Sequence, residues 1–399
     1  MKYILTIIST FISIALAAQS EPVVEAQDSL TMAQRIIVRR NGSSNADLSS
    51  RTAHMNLEFY TSANAWFTEG EFDEAAFKMN RVRFEIFGRL SNTLSYHFRQ
   101  SYNKYSNPYS LDNIASSIEY ANIKWTLSER FSIVAGKQFV SLGGYEYYVN
   151  ALRVREFSGF NSSVACYQTG ISGSWNISKT QQLIFQVVNN RSGSDSDLFV
   201  YGRPYGLDAS KFPLLATANW NGLFADGAVQ LRYAASVGEV ASGCPIWYLT
   251  AGNIYEKGPL LAYFDVMYSR EGVDCQGRFS SAHGLNTPAV TARDVEYLTL
   301  IANADYRFLP KWNAYLKGVY EVSDVYRSNG VFKEGDSMVS WNAQACIEWF
   351  PISNEGGFKV FLHYLYKGYE PSYRKNMLLS DLPDQQRISL GIVYAIPVM

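Results

Sequence analysis

Hydrophobic and polar residues alternate with a period of two over most of the chain from about residue 53 onward. Segment 339–349 shows the pattern best: every second residue is Val, Trp, Ala, Ala, Ile or Trp, and the residues between them are Ser, Asn, Gln, Cys and Glu. Successive side chains of a β-strand point to opposite faces, so this segment predicts a strand with one apolar and one polar face. Long stretches with apolar residues at spacings of three and four are absent from the sequence, so we expect little helix.

The same alternation predicts sixteen strands. They are expected at about residues 54–64, 77–90, 94–104, 118–127, 131–140, 166–177, 183–190, 214–222, 228–237, 246–256, 259–269, 295–308, 312–322, 338–350, 357–368 and 387–397. Residues 51–399, shared among sixteen strands, give about 22 residues for each strand with its connection, which suits membrane strands of about 9–11 residues.

Short and long connections alternate between these strands. The segments 128–130 and 225–227 have the composition of tight hairpin turns, whereas 141–165, 191–213 and 270–294 are long, up to about 25 residues. One alternating strand fits a layer of a soluble β-sandwich equally well, but a transmembrane barrel explains the alternation, with short turns at one rim and long loops at the other. We therefore predict an all-β fold: a transmembrane antiparallel β-barrel of about 16 strands with short periplasmic turns and long extracellular loops.

The N-terminal segment has the features of a secretory signal peptide. Lys2 precedes an apolar run from Tyr3 to Leu16, and Ala17 or Ala18 is the expected cleavage site. The run is shorter than the roughly 20 residues of a spanning helix, which disfavours the alternative of an uncleaved anchor. We predict a signal peptide over residues 1–18, a flexible periplasmic leader over 19–50 and the barrel domain over 51–399.

Composition agrees with a membrane barrel and excludes one class of partner. Aromatic residues make up 15% and charged residues 18% of the chain, against about 25% charged residues in soluble proteins. A formal net charge of -1 gives no electrostatic footprint for nucleic acid. The partners we expect are outer-membrane lipid and small solutes.

Strand parity places the charged side chains once the apolar face is set toward lipid. Val82, Phe84 and Ile86 then face outward, and the bases between them face the lumen. The rule predicts inward bases at Arg81, Arg83, Arg89, Arg99, Lys124, Arg232, Lys317, Lys359 and Lys367, and inward acids at Glu58, Glu85, Asp265, Asp305, Glu321 and Glu348. Two interpretations stay open: the arginines form a ladder that lowers the barrier for anions, or they only pair with Glu85 and neighbouring acids.

The segment VAGKQFVSLGGYEYYVNALRVREFSGF, from residue 134, resembles the third-loop region of the phosphate-selective porin O and P family, in the form found in Bacteroidetes-type bacteria. The likeness is carried by Gly136-Lys137-Gln138, by Gly143-Gly144-Tyr145-Glu146-Tyr147 and by Glu156-Phe157-Ser158, and segment 337–351 fits the same family. The resemblance implies a sixteen-stranded porin in the outer membrane of a Gram-negative bacterium, assembled as a homo-trimer, through which small hydrophilic solutes or anions diffuse.

The same resemblance implies that the third loop, about 141–165, folds into the channel as a constriction. Glu146, Arg153, Arg155 and Glu156 would then lie near the narrowest part of the pore; the alternative is that the loop stays outside and its charges are plain surface. Two features depart from the family. The family's phosphate selectivity depends on a dense basic lining, whereas the inward charges of this chain are nearly balanced. The chain also ends in Met399 instead of the aromatic residue that is usual for such barrels.

Other chemistry finds little support in the sequence. The four cysteines and four histidines are dispersed and match no metal or nucleophile motif. Ser95 and Ser101 are near His97 but on its own strand, where same-face residues two apart are about 6–7 Å from each other, too far for direct proton transfer. We predict no enzyme activity, no metal and no cofactor, and leave open whether Cys244 and Cys275 form a disulfide. The alternative function is a surface barrel whose long loops bind a ligand or partner.

Overall fold

The computed structural model describes residues 52–103, 116–149, 152–190, 198–283, 290–329, 331–352, 358–372 and 382–398. The predicted signal peptide and leader lie outside these residues.

Sixteen antiparallel strands form one closed barrel, as predicted. The strands are β1 (Thr52–Thr68), β2 (Glu71–Arg89), β3 (Leu94–Ser101), β4 (Ile118–Thr126), β5 (Phe131–Phe139), β6 (Tyr167–Asn176), β7 (Gln181–Asn189), β8 (Leu214–Phe224), β9 (Val229–Ala241), β10 (Cys244–Lys257), β11 (Leu260–Val273), β12 (Arg293–Leu309), β13 (Trp312–Val325), β14 (Ser337–Trp349), β15 (Lys359–Ser372) and β16 (Gln385–Pro397). Each strand pairs with its neighbours in sequence, and β1 closes the barrel against β16, with Thr68 opposite Gln385.

Helix is confined to short segments of the described chain. These are α1 (Gly159–Ser163), α2 (Ser280–His283) and a single 3-10 turn at Ala225–Gly227. No helix in the described ranges has the length and apolar character needed to cross a membrane.

Exposure along β14 is inverted relative to a soluble protein. The polar-face residues Asn342, Gln344 and Glu348 are buried, whereas the apolar-face residues Ile347 and Trp349 are 39% and 40% exposed. A soluble sandwich would bury the apolar face, so the exposed face is the one that meets lipid. The barrel leaves no sheet edge unpaired in hydrocarbon, since it closes on itself.

The predicted strict alternation of short and long connections is wrong at two places on the long-loop rim. β1 and β2 are joined by Glu69–Gly70 alone, with φ of 52° and 84°, and both strands run beyond the predicted 54–64 and 77–90. A two-residue hairpin with positive φ at both central positions matches the twist of its strands, so pairing continues to the tip. β9 and β10 are likewise joined by Ser242–Gly243.

Local irregularities also reverse the parity of two strands. Gly136 has φ of 113°, and the consecutive residues Lys137 and Gln138 are both buried, so strict alternation fails within β5. The register of β3 against β4 shifts between Arg99 and Gln100. A bulge changes the face on which a side chain lies. Simple parity predicts that Glu119 faces outward, but it is only 1% exposed and lies on the inward face.

Leu316 provides a test of the outward face. It lies on the lipid side of β13 and is 67% exposed. Replacing Leu316 by Arg places a guanidinium in hydrocarbon and is expected to lower the free energy of unfolding by about 2–4 kcal/mol, whereas Leu309→Arg, on the same face but at the rim, should cost about 0–1 kcal/mol. Urea titration of the barrel in lipid vesicles, followed by Trp fluorescence, measures both; equal losses would contradict the assigned lipid face.

Candidate functional site

The inserted loop (residues 140–166) leaves the barrel wall after β5 and reaches across to the inner face of distant strands. The backbone N–H groups of Tyr145 and Glu146 both donate to Asp265 Oδ2 of β11 at 2.8 Å. Asp265 has no solvent exposure and lies on the polar, inward face of its strand. The loop therefore runs inside the lumen at this point.

Two glycines allow the start of the inserted loop to lie directly against the wall. Gly143 and Gly144 have φ of 79° and 74°, values that residues with a Cβ rarely adopt. A Cβ on Gly144 would also collide with Met267, and one on Gly252 would lie 2.6 Å from Gly144 Cα. Backbone thus packs on backbone here, which places Tyr145 and Glu146 within reach of the wall.

Glu146 is the centre of a buried polar cluster that holds the loop's own shape. One carboxylate oxygen accepts from the Ser158 N–H at 3.0 Å, from Ser158 Oγ at 2.8 Å and from Asn161 Nδ2 at 2.6 Å. The other oxygen forms an ion pair with Lys317 of β13. Glu146 is fully buried, so it acts as an internal anchor and does not face channel water.

Helix α1 is held by a second wall carboxylate. Ser158 is its N-cap and accepts from the Asn161 N–H at 3.2 Å. The N–H groups of Gly159 and Phe160 donate to the Glu321 carboxylate at 2.9 and 3.1 Å. A carboxylate at this position satisfies backbone donors that a helix leaves unpaired in its first turn.

Arg155 anchors the far part of the loop. Its guanidinium donates to Glu348 Oε1 at 2.8 Å and to the Leu152 carbonyl at 2.8 Å, and its Cζ lies 4.1 Å from the centre of the Phe361 ring. Lys359 Nζ donates to the same Glu348 oxygen at 2.6 Å. Burial alone would lower the pKa of Arg155, but Glu348 raises it above the usual range, so the pair stays ionised.

Arg153 and Glu156 are the loop charges that keep contact with solvent. Arg153 is exposed, and the carboxylates of Asp305 and Glu348 act on it electrostatically. The Glu156 side chain is 36% exposed and pairs with Arg387 Nη2 of β16 at 2.9 Å. Of the four loop residues predicted at the constriction, Arg153 and Glu156 border water, and the other two are buried.

Arg83 of β2 and Arg99 of β3 are paired with three glutamates. Arg83 lies 2.9 Å from Glu58 and 3.0 Å from Glu119, and Arg99 lies 2.8 Å from Glu119 and 3.5 Å from Glu85. All five are at most 5% exposed. Sequence parity missed Glu119, because only the bulge in the β3–β4 register turns it inward.

Three other predicted bases have no such partners. Within the described ranges, Arg81, Arg89 and Lys124 belong to none of the ion pairs. Arg89 and Lys124 both lie opposite Ser95, which separates their backbones by about 10 Å across two strand spacings.

Two further predicted bases contact aromatic rings. The guanidinium of Arg232 lies 3.5 Å from the centre of the Tyr148 ring, and Lys367 Nζ lies 5.0 Å from the centre of the Tyr369 ring. Arg232 is buried, so it packs the inserted loop against β9 and does not face the channel.

Metal binding and disulfide formation are the other chemistries considered from the sequence. The part of the chain that the structure describes contains no group of three or more His, Cys, Asp or Glu side chains arranged to hold a metal ion. Cys244 and Cys275 are buried free thiols in one apolar cluster, so they form no disulfide in this structure.

The Lys317–Glu146 pair gives a direct test of the loop anchor. Lys317→Met would leave Glu146 buried without its cation and is expected to lower the free energy of unfolding by about 3–5 kcal/mol. The double variant Lys317→Met with Glu146→Gln should recover part of this loss, because no uncompensated charge remains.

Urea titration of the native protein, both single variants and the double variant measures the coupling. Lys257→Met, at the exposed end of β10, is the control and should change stability by no more than about 0.5 kcal/mol. If the double variant loses as much free energy of unfolding as the two single variants together, the assignment of a buried ion pair is contradicted.

Comparisons with known proteins agree with this architecture. Solved structures similar to this chain include the outer-membrane channel DcaP of Acinetobacter baumannii, with TM-score 0.59, 10% identity and coverage of 88% of this chain and 100% of that one. They also include the anion-selective porin from Comamonas acidovorans (TM-score 0.54, 8% identity, 87% and 100% coverage) and OmpT of Vibrio cholerae in its trimer form (0.53, 11%, 87% and 100%). At these identities the likeness shows the fold alone.

The sequence comparisons assign the family, which the structural likeness alone does not. No curated protein sequence matches the chain, but the sequence model of a family described as "Phosphate-selective porin O and P" matches residues 58–396. The match covers most of the chain and nearly all of the barrel. The protein therefore belongs to the phosphate-selective porin O and P family and is an outer-membrane porin.

Proposed function

We propose that this porin lets small hydrophilic solutes diffuse passively across the outer membrane, with a preference for anions over cations. The observation that carries the preference is the set of lumen bases that have no ion-pair partner among the described residues. Arg81, Arg89 and Lys124 lie on the inward faces of β2 and β4, and Arg153 is exposed on the inserted loop. Guanidinium and ammonium donors can replace part of an anion's hydration as it passes.

The paired charges contribute little to this preference. Arg83 and Arg99 share Glu58, Glu85 and Glu119, so two positive and three negative charges meet there and the cluster presents no net positive charge to a passing ion. Selectivity then depends on the few uncompensated bases and not on an arginine ladder. Near Arg153 the acids Asp305 and Glu348 weaken the local field, which favours a modest preference and no dedicated phosphate site.

We also propose that the protein is a homo-trimer and comes from a Bacteroidetes-type bacterium. The mature chain would begin after residue 18, with a periplasmic leader over residues 19–50. The trimer is supported by family membership and by the trimer form of the Vibrio cholerae OmpT. The lineage is supported by the likeness of segment 134–160. Family and fold support a channel in preference to an enzyme.

Ion selectivity can be measured in planar bilayers. Changing Lys124 to Met together with Arg153 to Ser should lower the anion-to-cation permeability ratio about twofold or more, because two positive charges are removed from the water-filled path. Reversal potentials in asymmetric salt give the ratio, and added phosphate tests for a specific site.

The matched control is the double variant Arg99→Gln with Glu119→Gln, which removes one positive and one negative charge. Its ratio should stay close to that of the native channel. An unchanged ratio in the Lys124 and Arg153 variant would remove the uncompensated bases from the explanation of selectivity while leaving the pore intact.

Assembly is tested on the purified full-length protein in detergent. Size-exclusion chromatography with multi-angle light scattering, corrected for bound detergent, is expected to give the protein mass of three chains. Heating before gel electrophoresis should convert this species to a monomer band. A one-chain mass in several mild detergents would contradict the trimer.

A further inference from the structure

A cavity of about 160 Å³ lies at the long-loop rim of the barrel, where the inserted loop passes the ends of β6–β11. It is distinct from the charged surfaces described above, because most of its wall is apolar. The apolar wall includes Leu142, Leu198, Leu215, Val240, Ile246 and Tyr248. Five of these, Leu142, Leu198, Leu215, Val240 and Ile246, belong to one buried cluster that joins the barrel wall to the loops.

One side chain in this cavity has unmet hydrogen-bonding capacity. Gln168, on the inward face of β6, is 1% exposed, and neither its Oε1 nor its Nε2 has a hydrogen-bond partner within the described residues. Asn190 Oδ1, at the same cavity, also lacks a partner there, whereas Asn190 Nδ2 donates to the Glu239 carbonyl. A buried amide without partners costs free energy, so an occupant that supplies both a donor and an acceptor is favoured.

The charged residue at the cavity is already neutralised. Glu271 accepts from Arg278 Nη2 at 2.7 Å and from Ser269 Oγ at 3.1 Å. A charged ligand would lose its hydration in the cavity without gaining a free counter-charge, so a neutral ligand is favoured.

We propose that this cavity binds a small neutral molecule with a carboxamide head and a short apolar body. The carboxamide N–H would donate to Gln168 Oε1, and its carbonyl would accept from Gln168 Nε2. The apolar body would contact the wall around Leu215 and Val240. A cavity of about 150 Å³ holds benzene, so ligands of about six to eight non-hydrogen atoms fit. Water alone would satisfy Gln168 but would find no polar partners along the apolar wall.

The test is direct binding to the full-length porin in detergent micelles, with pentanamide as the probe. Saturation-transfer NMR with titration gives the dissociation constant, and pentanoate, which has the same shape but carries a charge, is the ligand control. The native protein should bind pentanamide at least tenfold more tightly than pentanoate. Comparable binding of the two, or no binding of pentanamide, would overturn the proposal and leave a cavity that holds water only.

Two variants test the site itself. Gln168→Leu should weaken pentanamide binding at least tenfold, and Gln182→Leu, which removes a buried inward amide of β7 away from the cavity, should leave it unchanged. Val240→Phe fills the apolar wall and should abolish binding, so it decides the question even if Gln168→Leu fails to fold. Retained binding in Val240→Phe, or in a folded Gln168→Leu protein, would contradict the proposal. Circular dichroism and heat-dependent gel mobility confirm the fold of each variant.

Discussion

Inside hydrocarbon every backbone N–H and C=O must find a partner within the protein, and this requirement dictates the rest of the molecule. Closure of β1 on β16 satisfies the backbone all round the barrel. It also sends one face of every strand to lipid and the other into a single enclosed space. Nearly all polar side chains of the strands are therefore concentrated in the lumen, where the inserted loop meets them.

The inserted loop decides what those polar side chains do. Where the loop fills the lumen it excludes water, and an ionised group there must be paired or hydrogen-bonded to be tolerated. Asp265 and Glu321 meet this need by accepting four backbone N–H groups from the loop, and Lys317 meets it by pairing with Glu146. The same contacts that make the loop's position rigid thus remove these charges from the permeation path.

A minority of the predicted lumen bases lies outside this network of ion pairs. Arg83, Arg99 and Arg155 stabilise the architecture through glutamates, whereas Arg153 is exposed and Arg81, Arg89 and Lys124 belong to no ion pair within the described ranges. The cavity beside Gln168 belongs to a third region, where the loop packs on apolar wall residues instead of charges. The inserted loop therefore contacts the wall through charged groups in one region and borders a largely apolar cavity in another.

The sequence by itself determined the sixteen strands, the lipid face of β14 and the inward aim of Arg83 and Glu85, because a period of two follows from local strand geometry alone. The likeness around Gly143–Gly144 also identified the loop that contacts the far wall. Only the tertiary structure decided that Glu119 turns inward at a bulge, that Glu348 pairs with Arg155 from 193 positions away, and that the Gln168 amide has no hydrogen-bond partner among the described residues. These outcomes depend on which surfaces meet after closure, and no local pattern of residues encodes the distance between groups brought together by a folded loop.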